Sequence, residues 1–553
     1  MRTWLIMAVV FAFAVIGATC CSEESRSDNG SGDTDADTDT DADSDTDGDG
    51  DTDTGYHGPA IPPTCEDAAE ALTSVGCEFF TVDMDNWNDS TGMYPSADPL
   101  TYAVVVSNPH VDQNAQVILE SGDGAEIYST SLAPLALEVI NVACASGCLV
   151  PQAEVNVQGI GVDSAFRLTS DVPVLAYQWN PYGQEIYTTD ASLLVPVTSL
   201  TGTYLAASWP TVTPGVEMSI LSQVTVAATQ DGTQVTFIPK VTVEAYGGVG
   251  PLTAGVESAP FSLDAGDVIT IRSDAVGGDL TGTVVQGNKT IAVFGGNSCA
   301  IAPYEGLPCC CDHIEEQLLP LEAWGTSTVL ARPLPRLGCT TAQDMALWRI
   351  IAGADNMTVT FEPPAPAPAG AEHTFASQGD VLQFMTADNH LATGTFVSPP
   401  DPDKPEAPFF AYQVMTGALY ASCGPDGQEG DPYMLQSPPA GQFLDRYVFS
   451  TDNVFDFAYD QIVIVREAGV TVELDCKGEL PPGNFTPVGS TGWEVGYVVI
   501  DNPLNDTGCL DGAHTLEASA PVGLSVIGTD TTQSYGYLGG VGLRYINPDP
   551  VIE

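Results

Sequence analysis

The sequence predicts an all-β protein built from four tandem repeats. A strand-turn-strand phrase occurs four times and is followed each time by a second strand phrase. In that second phrase Tyr177, Phe294, Tyr412 and Ile527 hold the same place, at spacings of 117, 118 and 115 residues. Such a period is that of a whole domain, because solenoid repeats of ~20 to 50 residues cannot bury a core alone. We therefore predict immunoglobulin-like β-sandwich modules of about 115–118 residues each, or alternatively a β-propeller.

Strand signals dominate the chain after residue 78. Short β-branched and aromatic runs alternate with Gly, Pro, Asn and Asp clusters at intervals of ~8 to 12 residues, which favours a sandwich or barrel. The four copies of the first phrase are Ala103–Ser121, Val224–Pro239, Trp348–Pro363 and Gln461–Asp475. Asp231-Gly232 inside the second copy predicts a hairpin turn. The propeller alternative would divide each repeat into two four-stranded blades and would bring the first and last repeats into contact.

The N-terminal segments predict export. Residues 1–21 have the form of a lipoprotein-type signal peptide, with either Cys20 or Cys21 as the acylated residue. Residues 22–60 are rich in Asp and Thr and lack the apolar side chains that a core needs, so we expect a disordered acidic tether. The expected repeats are 61–205, 206–325, 326–446 and 447–553. These features predict a bacterial envelope protein, lipid-anchored at the outer membrane or cell surface.

The charge of the chain excludes some partners. Its formal net charge is −59, and a surface this acidic repels phosphate backbones and anionic lipid. Nucleic acid is therefore not expected as a partner, and membrane contact is expected only through the lipid anchor. Soluble cations, basic proteins and neutral glycans remain compatible with the charge.

Twelve cysteines after the signal peptide predict disulfide bonds, because an even number in an exported chain is typical of them. Cys65 and Cys77 flank a short segment, EDAAEALTSVG, that is the one predicted helix. Cys144 with Cys148, and Cys476 with Cys509, are the other pairs that the spacing suggests. The pairing of the remaining six stays open; they are Cys299, Cys309, Cys310, Cys311, Cys339 and Cys423.

Two clusters could bind metal. The segment VDMDNWND supplies closely spaced oxygen ligands that suit calcium, which takes ~6 to 8 oxygens; these residues are Asp83, Asp85, Asn86, Asn88 and Asp89. The other cluster runs from Cys309 to His313, but it lacks a Cys-x-x-Cys pair and an HExxH motif. We therefore expect disulfides there and treat calcium at the first cluster as a possible ligand, with no cofactor required.

A third phrase links the repeats. Asp190, Asp312 and Asp431 each precede an apolar patch and then a proline, at positions 196, 320 and 438. We interpret this phrase as a rigid connector that fixes the angle between repeats, in preference to a ligand site. No catalytic residues are predicted, because the chain has no Gly-x-Ser-x-Gly elbow and its histidines are scattered. His110 is expected on a surface loop.

Several of these segments resemble the N-terminal domain of IgGFc-binding proteins. They include CEFFTVDMDN, TYAVVVSNP, TVAATQDGTQVTFIP, IAVFGGNSCA and CDHIEEQLLPLEAWGTSTVLARP, and the run from Cys311 to Pro333 is the most specific. The similarity extends over residues 65 to 545. It implies an extracellular, disulfide-bridged and non-enzymatic binding region, and it carries over no functional residue. We expect a surface adhesion protein that recognises an extracellular protein or glycan. The alternatives are a structural component of an envelope coat or matrix and a metal-dependent hydrolase.

Overall fold

Each repeat folds as two four-stranded antiparallel sheets. The computed structural model describes residues 61–87, 97, 100–151, 153, 159–183, 188–212, 220–304, 311–402, 404–424, 427–451, 459–502, 507–548 and 550–552. In each repeat we letter the eight strands a to h in chain order. Strands h, g, b and e form an inner sheet in that order, and strands a, f, c and d form an outer sheet.

The first repeat begins with a short helix, α1 (Cys65–Ala71), whose N-cap Thr64 accepts a hydrogen bond from the Asp67 amide. One long strand supplies both f and g by passing from the outer sheet into the inner sheet. The strands, with the extra β6 and β7, are β1 (Gly76–Thr81), β2 (Tyr102–Ser107), β3 (Ala115–Glu120), β4 (Glu126–Leu132), β5 (Leu137–Cys144), β6 (Val150–Pro151), β7 (Gly159–Gly161), β8 (Phe166–Asn180) and β9 (Asp190–Leu193).

The second repeat divides the long strand into separate strands f and g. Its strands a to h are β10 (Thr203–Leu205), β11 (Ser222–Ala228), β12 (Thr233–Ile238), β13 (Phe261–Leu263), β14 (Val268–Arg272), β15 (Val284–Gly287), β16 (Ile291–Ala300) and β17 (Asp312–Gln317). Strand β7 of the first repeat pairs with β14, and so extends this inner sheet by one strand.

The third repeat has the same order and adds helix α2 (Ala418–Ala421) between g and h. Its strands are β18 (Ser327–Leu330), β19 (Ala346–Ala352), β20 (Met357–Glu362), β21 (Glu372–Phe375), β22 (Val381–Thr386), β23 (His390–Phe396), β24 (Phe409–Val414) and β25 (Met434–Ser437). Buried residues from both sheets, such as Trp348 of β19 and Phe361 of β20, form one core cluster. The two sheets therefore pack face to face as a sandwich.

The fourth repeat again has one long strand for f and g, and it adds an edge strand, β30. Its strands are β26 (Leu444–Ser450), β27 (Tyr459–Glu467), β28 (Val472–Leu474), β29 (Gly478–Glu479), β30 (Phe485–Pro487), β31 (Trp493–Asp501), β32 (Ala513–Asp530) and β33 (Gln533–Leu538). Strand e is β31 in this repeat, and β30 pairs with its free edge.

The sequence pattern decides which sheet a strand joins. The b strands β2, β11 and β19 are mostly apolar and all of their residues are buried, including the polar ones Ser107, Ser222, Gln223, Thr225 and Arg349. Such runs are typical of strands covered on both faces. The c strands β12 and β20 alternate buried and more exposed residues, because one face of the outer sheet meets solvent.

The turn between strands b and c does not form the hairpin that Asp231-Gly232 predicts. Strands β11 and β12 flank this dipeptide, yet they lie in different sheets. Gly232 has the positive φ of +67° that a tight turn needs. The Asp231 and Asp264 carboxylates accept the amides of Ala265 and Gly232 respectively, which ties this turn to the one between d and e. The turn residues are thus used to cross between sheets.

The four repeats close into a ring with propeller-like symmetry. Inner strand β9 contacts β17 and β33, and β25 contacts the same two strands. At the seam the first and last repeats touch, where the tilted rings of Tyr177 and Tyr537 have centroids 4.7 Å apart and the Ser74 amide donates to the Val541 carbonyl. The all-β prediction, the two-sheet repeats and the closure required by the propeller alternative are confirmed. Each repeat supplies one blade and not two.

Short 3-10 turns connect one repeat to the next. Each turn follows a proline that ends the connector phrase, and the turns are Val197–Ser199, Leu321–Ala323 and Ala440–Gln442. The prolines are Pro196, Pro320 and Pro439, so in the third repeat the equivalent residue is Pro439 and not Pro438. A fixed φ before each turn gives the chain the same direction into strand a of the next repeat.

Candidate functional site

The inner strands bring the three connector aspartates to the centre of the ring. Asp190 is the first residue of β9, Asp312 is the first residue of β17, and Asp431 lies three residues before β25. All three are 0% exposed. Because a carboxylate buried without a partner is costly, the hydrogen bonds of each one decide its role.

Asp190 accepts hydrogen bonds from backbone amides of all four repeats. Its Oδ2 accepts from Met434 N at 2.9 Å and from Glu315 N at 3.1 Å. Its Oδ1 accepts from Ala191 N at 2.9 Å and from Gly536 N at 3.4 Å. Burial raises the pKa of Asp190 well above its usual range, and these amides oppose that shift. A single side chain therefore joins the four inner strands.

Asp312 begins the corresponding strand of the second repeat, but it lies eight residues before its connector proline, whereas Asp190 lies six residues before its own, and its environment is different. Neither of its side-chain oxygens accepts a hydrogen bond of normal geometry from the described residues. Burial raises its pKa well above the usual range, and the charges of Asp431 and Asp190 raise it further. Thr188 and Thr189 are near enough to oppose the shift only in part. Burial and the neighbouring carboxyl groups therefore favour the protonated form of Asp312.

Asp431 is intermediate between the other two. Its Oδ1 accepts one hydrogen bond, from Ala418 N of α2 at 3.1 Å, whereas its Oδ2 accepts none from the described residues. Burial raises the pKa of Asp431 well above its usual range. Its backbone carbonyl accepts the Ser534 hydroxyl, which links the third repeat to the fourth.

A second polar layer below the aspartates joins three repeats. Glu316 accepts the Ser192 hydroxyl at 3.0 Å and both the backbone and side-chain nitrogens of Gln436, at 3.2 and 3.1 Å. Gln317 accepts from Val195 N at 2.8 Å. Burial raises the pKa of Glu316 to about 8. The partners of this layer are protein groups of neighbouring repeats, as a rigid connector requires.

The predicted calcium segment lies beside the axis, in the connection between strands a and b of the first repeat. Asp83, Asp85 and Asn86 are buried, whereas Asn88 and Asp89 lie outside the described residues. Asn86 Oδ1 accepts from Trp87 N at 2.6 Å and from Thr188 Oγ1 at 3.2 Å. These contacts occupy one expected ligand oxygen with protein donors, and calcium at this segment stays a prediction.

Five disulfide bonds join ten of the described cysteines. They are Cys65–Cys77, Cys144–Cys148, Cys299–Cys311, Cys339–Cys423 and Cys476–Cys509. Three of these pairs are the ones that the spacing suggests. Cys309, Cys310, Cys20 and Cys21 lie outside the described residues. Disulfides on this scale are typical of an extracellular or secreted protein, and among the described residues no helix is long and apolar enough to cross a membrane.

Two buried histidines, His514 and His313, each lie beside a carboxylate. His514 Nδ1 lies 3.1 Å from an Asp475 oxygen, beside Cys476, but that sulfur is bonded to Cys509 and cannot bind a metal as a thiolate. His313 Nε2 lies 3.2 Å from Glu315 Oε2, and both residues are fully buried in β17. Neither cluster opens to a cavity that would hold a substrate among the cavities found in the described chain.

His110 is not a surface residue as predicted. It is 6% exposed, and its Nε2 lies 3.0 Å from the Pro173 carbonyl oxygen. Burial lowers its pKa. The SNPH turn connects the inner sheet to the outer sheet, so it passes over the end of the core. Asn108, which donates to the carbonyls of Gln113 and Leu132, helps to fix that passage.

The connections from a to b and from g to h meet at one end of the first three blades. Asn180 Nδ2 donates to the Met84 carbonyl at 2.8 Å in the first repeat, and Trp209 Nε1 donates to the Ile301 carbonyl at 2.9 Å in the second. In the third repeat Arg336 Nη1 donates to the Thr416 carbonyl at 2.8 Å. We call this end the loop end. Disulfides Cys299–Cys311 and Cys339–Cys423 brace it.

Sequence reasoning identified the three aspartates but not the side chains that complete the site. Gln436, Ser192 and Gln178 look like ordinary strand residues in the sequence. Their alignment with Glu315 and Glu316 across repeats depends on ring closure, which no local pattern encodes. The repeated position of polar residues inside otherwise apolar inner strands is the one signal that points to them.

Two comparisons with known proteins point to the same family. The chain matches the IgGFc binding protein family over residues 190–528, a segment that starts at the first residue of β9. It is also 24% identical over 365 residues to the human IgGFc-binding protein; the alignment covers 65% of this chain and 6% of that protein. The chain thus spans about 6% of the length of its curated relative. Because the family match covers more than half of the chain, this protein belongs to the IgGFc-binding protein family.

Proposed function

We propose that this chain is a non-catalytic adhesion protein whose loop end recognises an extracellular protein. The observation that carries the proposal is the construction of the loop end. Three repeats present two connections each at this end, and side-chain hydrogen bonds and disulfides hold them against a closed ring of sandwiches. Loops held by a rigid scaffold are the usual place for recognition.

The partner is expected to offer a complementary charge. With a net charge of −59, the protein favours a basic or neutral surface on its partner and disfavours an acidic one. The Fc region of immunoglobulin G, which the human relative is named for binding, is one candidate partner. A neutral glycan is the second candidate.

The exposed residues of α2 allow a direct test. Leu419 is 40% exposed at the loop end, and Val111 is 70% exposed in the connection between b and c at the opposite end of the first blade. The purified exported chain would be applied to protein and glycan arrays, including human Fc, with and without calcium. Leu419→Asp is expected to reduce binding about tenfold or more, because it places a charge in an apolar contact. Val111→Asp is the matched control and should bind like the natural chain.

Other outcomes would decide between the remaining functions. If no array element binds and the protein polymerises at micromolar concentration, the recognition proposal fails and a structural role in a coat or matrix replaces it. If a hydrolase substrate panel is turned over, and Asp475→Asn abolishes turnover, the non-catalytic proposal fails. Calcium-dependent binding that is lost on Asp83→Asn would support a metal at the VDMDNWND segment.

We further propose that the protein is a lipoprotein held at a bacterial surface. Residues 1–21 would direct export, Cys20 or Cys21 would carry the lipid, and residues 22–60 would space the ring from the membrane. Metabolic labelling with palmitate tests the anchor. The natural chain should incorporate label, and a variant with serine at both Cys20 and Cys21 should not; labelling of that variant would contradict the proposal.

A further inference from the structure

A cleft of about 390 Å³ opens between the third and fourth repeats. Its size is within the range of ~300 to 1,000 Å³ that is usual for small-molecule sites. One wall comes from the connections a to b and e to f of the third repeat, including Arg332, Pro335 and Asn389. The other wall comes from β30 and β31 of the fourth repeat, including Pro487 and Tyr497.

The polar groups of the cleft are already held in place. Asn389 Oδ1 accepts the Arg332 amide at 2.8 Å, and Asn389 Nδ2 donates to the Tyr497 hydroxyl at 3.1 Å. Prolines 335, 363 and 487 contribute rigid apolar surface on three sides. A ligand would therefore meet a preformed site, which lowers the entropy cost of binding.

The guanidinium of Arg332 is buried with few partners. The residue is 6% exposed, and one terminal nitrogen, Nη2, donates to the Asp344 carbonyl at 3.1 Å. Its Nε makes no hydrogen bond to the described residues, and no carboxylate of the described chain lies within ion-pair distance of it. Arginine has five N–H donors in a fixed fork, so most of them have no acceptor from these residues. Burial lowers its pKa, in agreement with this lack of compensation.

Three other buried arginines each form an ion pair that compensates the charge of the guanidinium. Arg336 pairs with Asp344 at 2.7 Å, Arg349 pairs with Asp279 at 2.5 Å, and Arg466 pairs with Glu494 at 2.8 Å. The Asp344 carboxylate is not free for Arg332, because Arg336 donates to both of its oxygens. The chain therefore leaves a buried cation facing a cleft although acidic residues are abundant.

We propose that this cleft binds the carboxylate group of a small ligand, with Arg332 as the anchor. A carboxylate matches the planar fork of a guanidinium and would satisfy the donors that protein groups leave open. Asp388 lies exposed in the cleft wall. Its charge favours a ligand with a single negative charge over a dianion such as sulfate, because it repels the dianion more strongly. This small-molecule role goes beyond the protein-binding role proposed for the loop end, and the connection a to b of the third repeat contributes to both.

Calorimetric titration of the full exported chain tests the proposal. D-glucuronate and N-acetylalanine carry one carboxylate each and represent an acidic sugar and a peptide chain end; glucose and N-acetylalanine amide are their neutral counterparts. At least one of the two acids is expected to bind in the millimolar range or tighter, and neither neutral compound should bind. Which acid binds identifies the source of the carboxylate. Equal binding of sulfate would overturn the proposal. Absence of binding of either acid at about 20 mM, a concentration well above the Kd expected for a weak anchor, would also overturn it.

Substitutions distinguish the contribution of Arg332 to binding from a general effect of the protein's charge. Arg332→Gln is expected to weaken binding at least about tenfold, and Arg332→Lys should restore it only in part, because lysine keeps the charge without the fork. Arg446→Gln, at an exposed ion pair with Glu517, is the matched control and should leave affinity unchanged. If Arg332→Gln does not fold, Asp388→Asn keeps the proposal testable, since it should tighten binding about two- to fivefold. Unchanged affinity in both Arg332→Gln and Asp388→Asn would contradict the assignment.

Discussion

Asp190 and Asp312 each begin an inner strand of the ring, at positions that differ by two residues relative to the connector proline, and the two carboxyl groups have opposite surroundings. Asp190 accepts four backbone amides, one from each repeat. Asp312 accepts no hydrogen bond of normal geometry from the described residues and has two other carboxyl groups near it. The same residue type in the two connector phrases therefore makes different contacts. Asp190 is the acceptor that joins the four repeats, whereas Asp312 has only the weaker contacts of Thr188 and Thr189.

The largest effect is expected from Asp190→Ala. The substitution removes an acceptor from amides in the second, third and fourth repeats, and each buried amide without an acceptor costs about 1–3 kcal/mol. We expect the free energy of unfolding to fall by about 3–5 kcal/mol, measured by urea denaturation followed by tryptophan fluorescence. A change below about 1 kcal/mol would show that water replaces the carboxylate and that Asp190 does not join the repeats.

The free energy of unfolding should fall as the pH rises, because burial raises the pKa values of several carboxyl groups. Glu316 has its pKa raised from 4.5 in the reference state to about 8 in the fold, and burial raises those of Asp190, Asp312 and Asp431. The folded state therefore binds more protons than the unfolded state between these values. The stabilisation is complete below about pH 4.5 and is lost as the pH rises through about 8.

Glu316→Gln separates this contribution from the general acidity of the chain. The amide keeps an acceptor oxygen for Gln436 but does not titrate. We expect the variant to lose less stability than the natural chain between pH 5 and 8, by on the order of a few kcal/mol. Parallel stability curves for the two proteins would show that Glu316 does not titrate in this range.

Much of the fold could be predicted from sequence patterns. Strand composition can be read within a single segment, and the repeat period can be read from the spacing between similar segments. The apolar b strands and alternating c strands follow from burial on two faces or one. The failed hairpin at Asp231-Gly232 has a different origin. A turn signal reports local backbone geometry and does not say whether the flanking strands pair or separate into two sheets. Ring closure is non-local for the same reason, since Ser74 and Val541 meet across the whole chain.

The candidate site was predictable in part. The connector phrase identified all three aspartates because each one precedes a proline by six to eight residues. It could not distinguish Asp190 from Asp312, because the difference lies in which backbone amides the neighbouring repeats present. The anchor Arg332 gave no sequence signal, since an arginine in LARPLPR looks like any solvated cation until Arg336 is seen to occupy Asp344.

Asp431→Ala should give an intermediate effect. This carboxyl group accepts a single amide hydrogen bond, from Ala418 at the start of α2. Loss of one acceptor is expected to lower the free energy of unfolding by about 1–2 kcal/mol and to speed hydrogen exchange of the α2 amides. A loss as large as that of Asp190→Ala would show that Asp431 has contacts beyond this bond, and would weaken the ranking of the three residues by their hydrogen bonds.

The smallest effect is expected from Asp312→Asn, and it is the sharpest test of the comparison. Only the Thr189 amide and Thr188 approach the Asp312 carboxyl group, without hydrogen bonds of normal geometry, and asparagine keeps one acceptor oxygen for them. At pH 6 the free energy of unfolding should change by less than about 1 kcal/mol. At pH 9 the natural chain bears a greater cost of ionising a buried group near Asp431, so the variant should be the more stable of the two. Destabilisation at both pH values, comparable to that of Asp190→Ala, would contradict this ranking. It would mean that the Asp312 carboxyl group forms stabilising hydrogen bonds or binds a cation. The two aspartates would then be equivalent in function although their positions differ by two residues.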